Sequence, residues 1–272
     1  MTTNSKRKST TTDQIVDRMA DQFDKHTIYQ RAVQSPDADA ELLQYFYRLS
    51  RNKTAYHFRE DFCGTAITLA HWVQQGPEFS GEGFDIDSDT IKWGQKYNFD
   101  PLGKDGKRGI LHIADARDPS TKSPDVRCAF NFSYWIFTQR QQMLEYFRSA
   151  YEDLAEDGVF VLDFHGGAES ISEEEAITDC GDFSSVWHQT GFSPVTHLAN
   201  LALHFRFPDG SSMENAFRYH WRIWSIPEIT DLLNEVGFTT INIYWYDGEG
   251  DYEFTRVGHN DPTWIACLTA LK

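Results

Sequence analysis

Apolar positions recur along the chain in two rhythms. Ile15, Val16, Met19 and Phe23 are spaced for one face of a helix, and Leu42, Leu43, Phe46 and Leu49 repeat that spacing after Asp37, so two helices are predicted ahead of the first strand. From residue 56 short apolar runs alternate with helical stretches. The predicted strands are 56–60, 81–85, 109–114, 126–131 and 158–164, and the predicted helices are 65–75, 88–97 (capped by Ser88) and 139–154. That alternation is the signature of a parallel sheet with helices on both faces.

Between Gly166 and Trp224 the rhythm stops and strand patterns take over, with Asp209-Gly210 as a hairpin signal. Opposed residues of a hairpin share a face. A three-residue loop pairs Leu203 with Phe217 and Leu201 with Tyr219, whereas a two-residue loop sets Phe205 against Glu214, so an odd loop or a bulge is predicted. His204, Arg206, Arg218, His220 and Arg222 then share the opposite face. Ser225-Ile226-Pro227-Glu228 reads as a capping box opening a helix that Gly237 stops, and strands near 238–245 and 263–271 close the chain around the acidic loop 247–253.

Ligands of an open parallel sheet bind beyond the carboxyl ends of its strands. Five such junctions carry the candidate chemistry. The first runs from His57 through Arg59, Glu60, Asp61, Phe62, Cys63 and Gly64 to Thr65 and Ala66, a strand entering a tight turn and a helix. The second ends on Asp85, followed by Ile86, where a carboxylate is placed to accept from ribose hydroxyls. The third holds Asp115-Ala116, the fourth Asn131, Phe132, Tyr134 and Trp135, and the fifth Asp163-Phe164-His165-Gly166-Gly167.

Composition narrows the reading. In 272 residues, 25 Lys+Arg face 41 Asp+Glu for a net charge of −16, which argues against a chain that gathers phosphate backbones, so no nucleic acid is expected as partner. Rings are abundant, with 8 Trp, 12 Tyr and 20 Phe, enough to line pockets as well as a core. Cys63, Cys128, Cys180 and Cys267 form no C-x-x-C pair and read as reduced thiols of a cytoplasmic protein. No charge-free apolar stretch is long enough for a membrane span, and the polar residues 1–12 read as a disordered tail. His188, His197, His204 and His220 match no standard ligand spacing, so no metal site is expected.

The five junctions in this order resemble the class I S-adenosylmethionine-dependent methyltransferases, from Tyr56 to Lys272. The resemblance implies a doubly wound, mostly parallel seven-stranded Rossmann-like sheet, with its last strand antiparallel and, in this chain, an antiparallel β insertion after the fifth strand. Residues 13–55 would form a helical cap, 56–165 and 225–272 the cofactor-binding domain, and 166–224 a substrate lid or dimer contact. The cofactor implied is S-adenosylmethionine, with Glu60, Cys63, Gly64 and Thr65 near its methionine part, Asp85 on the ribose, Ile86 on adenine, and Asp115 with Ala116 at the adenine edge. Asn131 and Phe132 would line the methyl-transfer face. Arg59 would pair with the cofactor carboxylate or else bridge a surface acid. The sequence departs from the family's glycine turn at Phe62 and Ala66. Ala66 can enter a helix without strain, but Phe62 does not readily adopt positive φ, so either the loop runs differently or Phe62 points into the core.

The expected function is methyl transfer to a small molecule, an amine or amino-acid-like acceptor, because ring faces and carboxylates attract cations while the basic insertion face could hold a carboxylate. The alternative is a non-catalytic module of the same fold that binds the nucleotide or a partner protein. Tyr134 and His165 are the candidates for a catalytic role, although transfer from a sulfonium needs alignment more than a base. Tyr29, in a loop between the leading helices, with Trp135, Trp187 and Trp221, would join them around the acceptor, and a homodimer is an open expectation.

Overall fold

The computed structural model describes residues 18–272; the tail 1–12 and the helix positions Ile15 and Val16 lie outside the described residues. Among the described residues three helices, rather than two, precede the first strand: α1 (Met19–Gln22), α2 (Lys25–Val33) and α3 (Pro36–Arg51). Asp24 caps α2 by accepting from the His26 and Thr27 amides. Pro36 opens α3, Asp37 and Asp39 occupy its first turn, and Arg48 and Arg51 its last, the order the helix dipole favours. Tyr29 therefore sits on a helix and not in a loop.

The main sheet follows as predicted through β1 (His57–Asp61), α4 (Ile67–Gln74), β2 (Ser80–Asp85), α5 (Ser88–Gly94), β3 (Gly109–Ile113), β4 (Val126–Ala129), α6 (Arg140–Asp153) and β5 (Val159–Gly166). Asp87, not Ser88, caps α5, because its carboxylate reaches the Asp89 and Thr90 amides. The insertion contributes β6 (Glu175–Asp179), β7 (Ser184–Phe192), β8 (Leu198–Arg206) and β9 (Ser212–Arg222), and the chain closes with α7 (Ile226–Val236), β10 (Thr240–Tyr246), β11 (Tyr252–Thr255) and β12 (Trp264–Leu271). Ser225 and Glu228 form the expected capping box.

The sheet has eight strands in the order β11-β10-β12-β5-β4-β1-β2-β3. Seven have the expected arrangement, with β12 antiparallel to both β5 and β10. The eighth is β11, part of which falls in the region read as an acidic loop; Tyr252 and Phe254 are folded back beside β10. One core, built around Phe147, Phe160, Leu232 and Phe238, packs α6 and α7 on one face. A second, around Phe46, Phe58, Trp72 and Val73, packs α3 and α4 on the other.

The insertion is a four-stranded antiparallel sheet, β6-β7-β8-β9. Leu203 pairs with Phe217 and Leu201 with Tyr219, the register drawn from the odd-loop argument, and the ladder shifts beyond Leu203 so that Phe205 pairs with Met213. Asn215 takes φ +52° in that stretch, and its amide donates to His204 Nδ1 at 2.9 Å. The five residues between β8 and β9 make the turn. Phe183, Phe205 and Phe207 share a small third core with Ala20 and Ile28 of the leading helices, so insertion and N-terminal helices pack as one unit.

Candidate cofactor groove and acceptor chamber

The turn after β1 sets the site. Phe62, Gly64 and Ala66 each take φ +53°, so the path keeps left-handed backbone at all three positions although only one is glycine. For an L-residue that conformation costs about 1–2 kcal/mol. Phe62 thus does adopt positive φ, and its ring turns toward the core against Phe137 and Tyr146, with centroids 5.8 Å from each. Ala66 does not enter α4 in ordinary helical conformation; it is its left-handed N-cap. Cross-links hold the turn: the Cys63 amide donates to Phe84 O at 3.0 Å, and the Gly64 amide to Asp85 Oδ2 at 2.9 Å.

Three chambers lie over the carboxyl ends of the strands. A polar one of about 250 Å³ sits between the turn and α2, with Glu60, Cys63, Gly64, Thr65 and Asp85 on its floor and Lys25, Tyr29 and Phe217 above. A flatter one of about 360 Å³ runs past Phe84, Ile86, Asp115, Ala116 and Phe137. A ring-lined one of about 300 Å³ is bounded by Tyr29, Asn131, Phe132, His165, Trp187, Tyr219 and Trp221. Asp85 lies on the first and second, and Tyr219 on all three. Tyr219 entered the sequence reading only as a strand-pairing partner; its position at the junction is decided by the insertion folding back over the main sheet.

Burial shifts the acids beneath these chambers upward: Glu60 to about 8, Asp163 to about 7 and Asp39 to about 6. Asp163, which opens the fifth junction but was assigned no role from sequence, is a positioning residue. Its carboxylate accepts the Asn131 and Phe132 amides at 2.6 and 2.9 Å, holding two consecutive residues at φ +56° and +55°. Asp85 is also raised by burial while its oxygens accept from the Gly64 and Asp87 amides. Burial pushes Tyr29 up to about 12 and Tyr219 well above the ordinary phenol value, and their hydroxyls face each other.

Several expected site residues stand elsewhere. Arg59 is fully buried beneath the groove. Its guanidinium donates to Asp61, Asp118 O, Ser120, Asp153 and Ala116 O at 2.7–3.1 Å, leaving it neither a route to a cofactor carboxylate nor a surface acid to bridge. Glu60 and Asp61 do diverge: Glu60 accepts the Leu69 amide, whereas Asp61 receives Arg59, Arg127 and Tyr146. Tyr134 is core, its hydroxyl donating to Asp163 O at 2.9 Å, so it is not placed to act on an acceptor. Trp135 is likewise fully buried and backs the ring-lined chamber through Phe132 and His165 instead of lining it. Asp115 lines the flat chamber, but Arg117 grips its two oxygens at 2.8 and 2.9 Å.

His165 lies at the edge of the ring-lined chamber with Nε2 buried and without a hydrogen-bond partner. Burial lowers it to about 4, so the ring is neutral near pH 7. The basic residues of the insertion face away from the chambers: the register that presents Leu203, Tyr219 and Trp221 inward turns Arg218 and Arg222 outward, and Arg206 and Arg222 pair with Glu175 and Glu228. His188 and His204 approach Glu175 and Glu214 at 3.8 and 2.7 Å; among the described residues no group of three or more His, Cys, Asp and Glu could hold a metal. No described helix is long and apolar enough to cross a membrane.

No protein-family model matches the sequence, and no curated protein matches it. Solved structures do match in shape. A S-adenosylmethionine-dependent methyltransferase from Clostridium acetobutylicum superposes with a TM-score of 0.67 at 14% identity, covering 90% of this chain and 96% of its own. The fold is that of the S-adenosylmethionine-dependent methyltransferases. A sugar N-methyltransferase from Streptoalloteichus sp. gives 0.65 at 14% identity over 100% of this chain and 98% of its own. An amino pentose methyltransferase from Micromonospora echinaspora, solved with S-adenosylmethionine bound, gives 0.63 at 14% identity over 89% and 95%.

Proposed function

We propose that the chain is a S-adenosylmethionine-dependent methyltransferase acting on a small-molecule amine. The observation that carries the reading is the meeting of the three chambers at Tyr219, one polar, one flat and one lined by rings. The polar chamber suits an amino-acid end: Glu60 and Asp85 offer acceptors and Lys25 a cation. The flat chamber suits a base packed on Ile86 and Phe137, with Asp85 between the two for ribose hydroxyls. Gly64 is open enough for a close ligand, since a Cβ there would meet only Thr90 Cγ2, at 3.9 Å. Glu60, Gly64, Asp85 and Ile86 would hold S-adenosylmethionine in this groove, where it would supply an electrophilic methyl to the lone pair of an amine and leave as the neutral thioether S-adenosylhomocysteine.

The chain's own part is positioning and exclusion of water. Asn131 and Phe132, fixed by Asp163, and Trp187, Tyr219 and Trp221 wall the acceptor chamber. No carboxylate lines that chamber, so its desolvation disfavours an ammonium and favours the neutral, nucleophilic amine. A neutral amine needs no base to attack, and His165, lowered to about 4 by burial, is a weak proton acceptor. The N-methylated product gives up its proton to solvent on release. The insertion's arginines face outward and no Arg or Lys lines the inner chamber, so an amine is favoured there over an amino-acid-like acceptor. The similar folds of a sugar N-methyltransferase and an amino pentose methyltransferase support the small-molecule class.

The test joins calorimetry with S-adenosylhomocysteine to a mass-spectrometric search for +methyl products in extract supplied with labelled S-adenosylmethionine. Binding together with a methylated amine is the expected result. Absence of binding removes the cofactor reading, and binding with no product in any extract favours the non-catalytic module.

A further inference from the structure

The ring-lined chamber has a neighbour on the far side of His165. His165, Gly166 and Trp264 also border an outer cavity of about 570 Å³. It lies over the carboxyl ends of β5 and β10, the start of β12 and the first turn of α7, the part of the sheet rim that the three chambers leave uncovered. We infer that this cavity holds the body of the acceptor, and that the acceptor is an amine carrying a large apolar, ring-bearing group on a short linker. The inference rests on the methyltransferase reading for the identity of the inner chamber.

The walls point to that chemistry. Ile171, Ile223, Trp224, Ile226, Trp245 and Trp264 form its apolar walls, beside the neutral polar His197, Thr255, His259 and Asn260; Arg256 is its one Lys, Arg, Asp or Glu side chain, and no carboxylate faces in. Trp245 and Trp264 stand 4.6 Å apart between centroids at 34°. Both rings lie directly on backbone that only glycine permits: a Cβ on Gly166 would meet Trp264 Cζ2 at 2.1 Å, and one on Gly258 would meet Trp245 Cζ3 at 2.8 Å. The rings are thus seated as fixed walls, suited to stacking on another ring. The inner chamber alone, at about 300 Å³, is at the small end for a specific organic ligand, whereas the two cavities together fall well inside the usual range. The unpartnered Nε2 of His165 stands in the ring between them.

Butylamine and 4-phenylbutylamine test the idea. Their affinities are read from quenching of tryptophan fluorescence, with and without S-adenosylhomocysteine. The phenyl compound is expected to bind at least about tenfold more tightly, the scale of burying one ring. In Ile171→Trp, where the added indole fills the cavity from a half-exposed position, and in Thr255→Trp, that advantage is expected to fall to about twofold, with S-adenosylhomocysteine affinity unchanged. Equal affinity of the two amines for the unaltered protein, or an advantage that survives both substitutions, overturns the inference. Failure of S-adenosylhomocysteine to bind overturns the methyltransferase reading separately, because the amine comparison is also made without it.

Discussion

Replacing Arg59 by methionine separates a structural role from a ligand-binding one. Beneath the groove, Arg59 and Arg127 are opposed by Asp61 and Asp153, two cations against two carboxylates, all essentially without solvent. Asp61 takes Arg59 Nε on one oxygen at 2.7 Å and Arg127 Nε and the Tyr146 hydroxyl on the other, each at 2.7 Å. Arg59 also stacks on the Phe84 ring, 3.7 Å from its centroid. Methionine keeps much of the stem but leaves one buried carboxylate charge without its partner and strips Ala116 O, Asp118 O and Ser120 of a donor. Breaking a buried pair from one side costs about 3–5 kcal/mol. For a domain of this size each kcal/mol lowers Tm by roughly 2–4 °C, so a fall of about 6–20 °C is expected in a circular-dichroism melt. Calorimetry at low temperature, where the variant is still folded, should find S-adenosylhomocysteine affinity within about threefold of the parent. Arg31→Met is the control: its pair with Asp182 is exposed on both sides, and its loss is worth about 0–1 kcal/mol. An unchanged Tm in Arg59→Met together with a tenfold loss of affinity would refute the reasoning and return Arg59 to the ligand.

Other outcomes follow from the same geometry. Ala66→Gly relieves a left-handed alanine and should raise stability by about 1 kcal/mol in chemical denaturation, whereas Phe62→Gly gains the same relief but loses the ring's contacts with Phe137 and Tyr146 and should be a net loss of about 1–3 kcal/mol; a stabilised Phe62→Gly contradicts the packing assigned to that ring. Glu60 and Asp39, held by burial at about 8 and about 6, bind protons more tightly folded than unfolded, so their contribution is complete below the unfolded carboxylate range and is lost as pH rises through those values. Melts from pH 5 to pH 8 should therefore show a declining Tm whose slope is smaller in Glu60→Gln, and an identical slope in that variant counts against the assignment. Asp85→Ala should weaken S-adenosylhomocysteine binding by about 10–100-fold, the loss of a charge-assisted hydrogen bond, and unchanged affinity removes the ribose role.

Much of this molecule is written locally. The alternation of strands and helices, the capping box at Ser225, the odd register of Leu203 with Phe217, and the carboxylate at the end of β2 depend on periodicity and on neighbours a few residues apart, and each is legible in sequence. What sequence could not decide are the questions of which partner a group meets across the fold. Arg59 stands at the mouth of the expected site in sequence, yet strand alternation and β4 beside it bring Asp61, Asp153 and Ala116 O within reach, and a cation taken out of water goes to the nearest set of acceptors. Tyr134 was expected in the pocket because it follows β4, but the two left-handed residues held by Asp163 turn the chain so that its ring enters the core. Phe62 was expected not to adopt positive φ readily, so that either the loop ran differently or the ring pointed into the core; the cross-links to Phe84 and Asp85 hold the positive φ while the ring packs on core partners. Tyr219 became the meeting point of three chambers only because a distant sheet folds over the rim. Sequence by itself determined the alternating elements of the main sheet from β1 to β5, their order and the carboxylate of β2, since these follow from short-range pattern, but not α2 or β11. Tertiary structure alone decided which charges are paired, which rings line the groove and which are buried, because desolvation and packing are set by residues far apart in the chain.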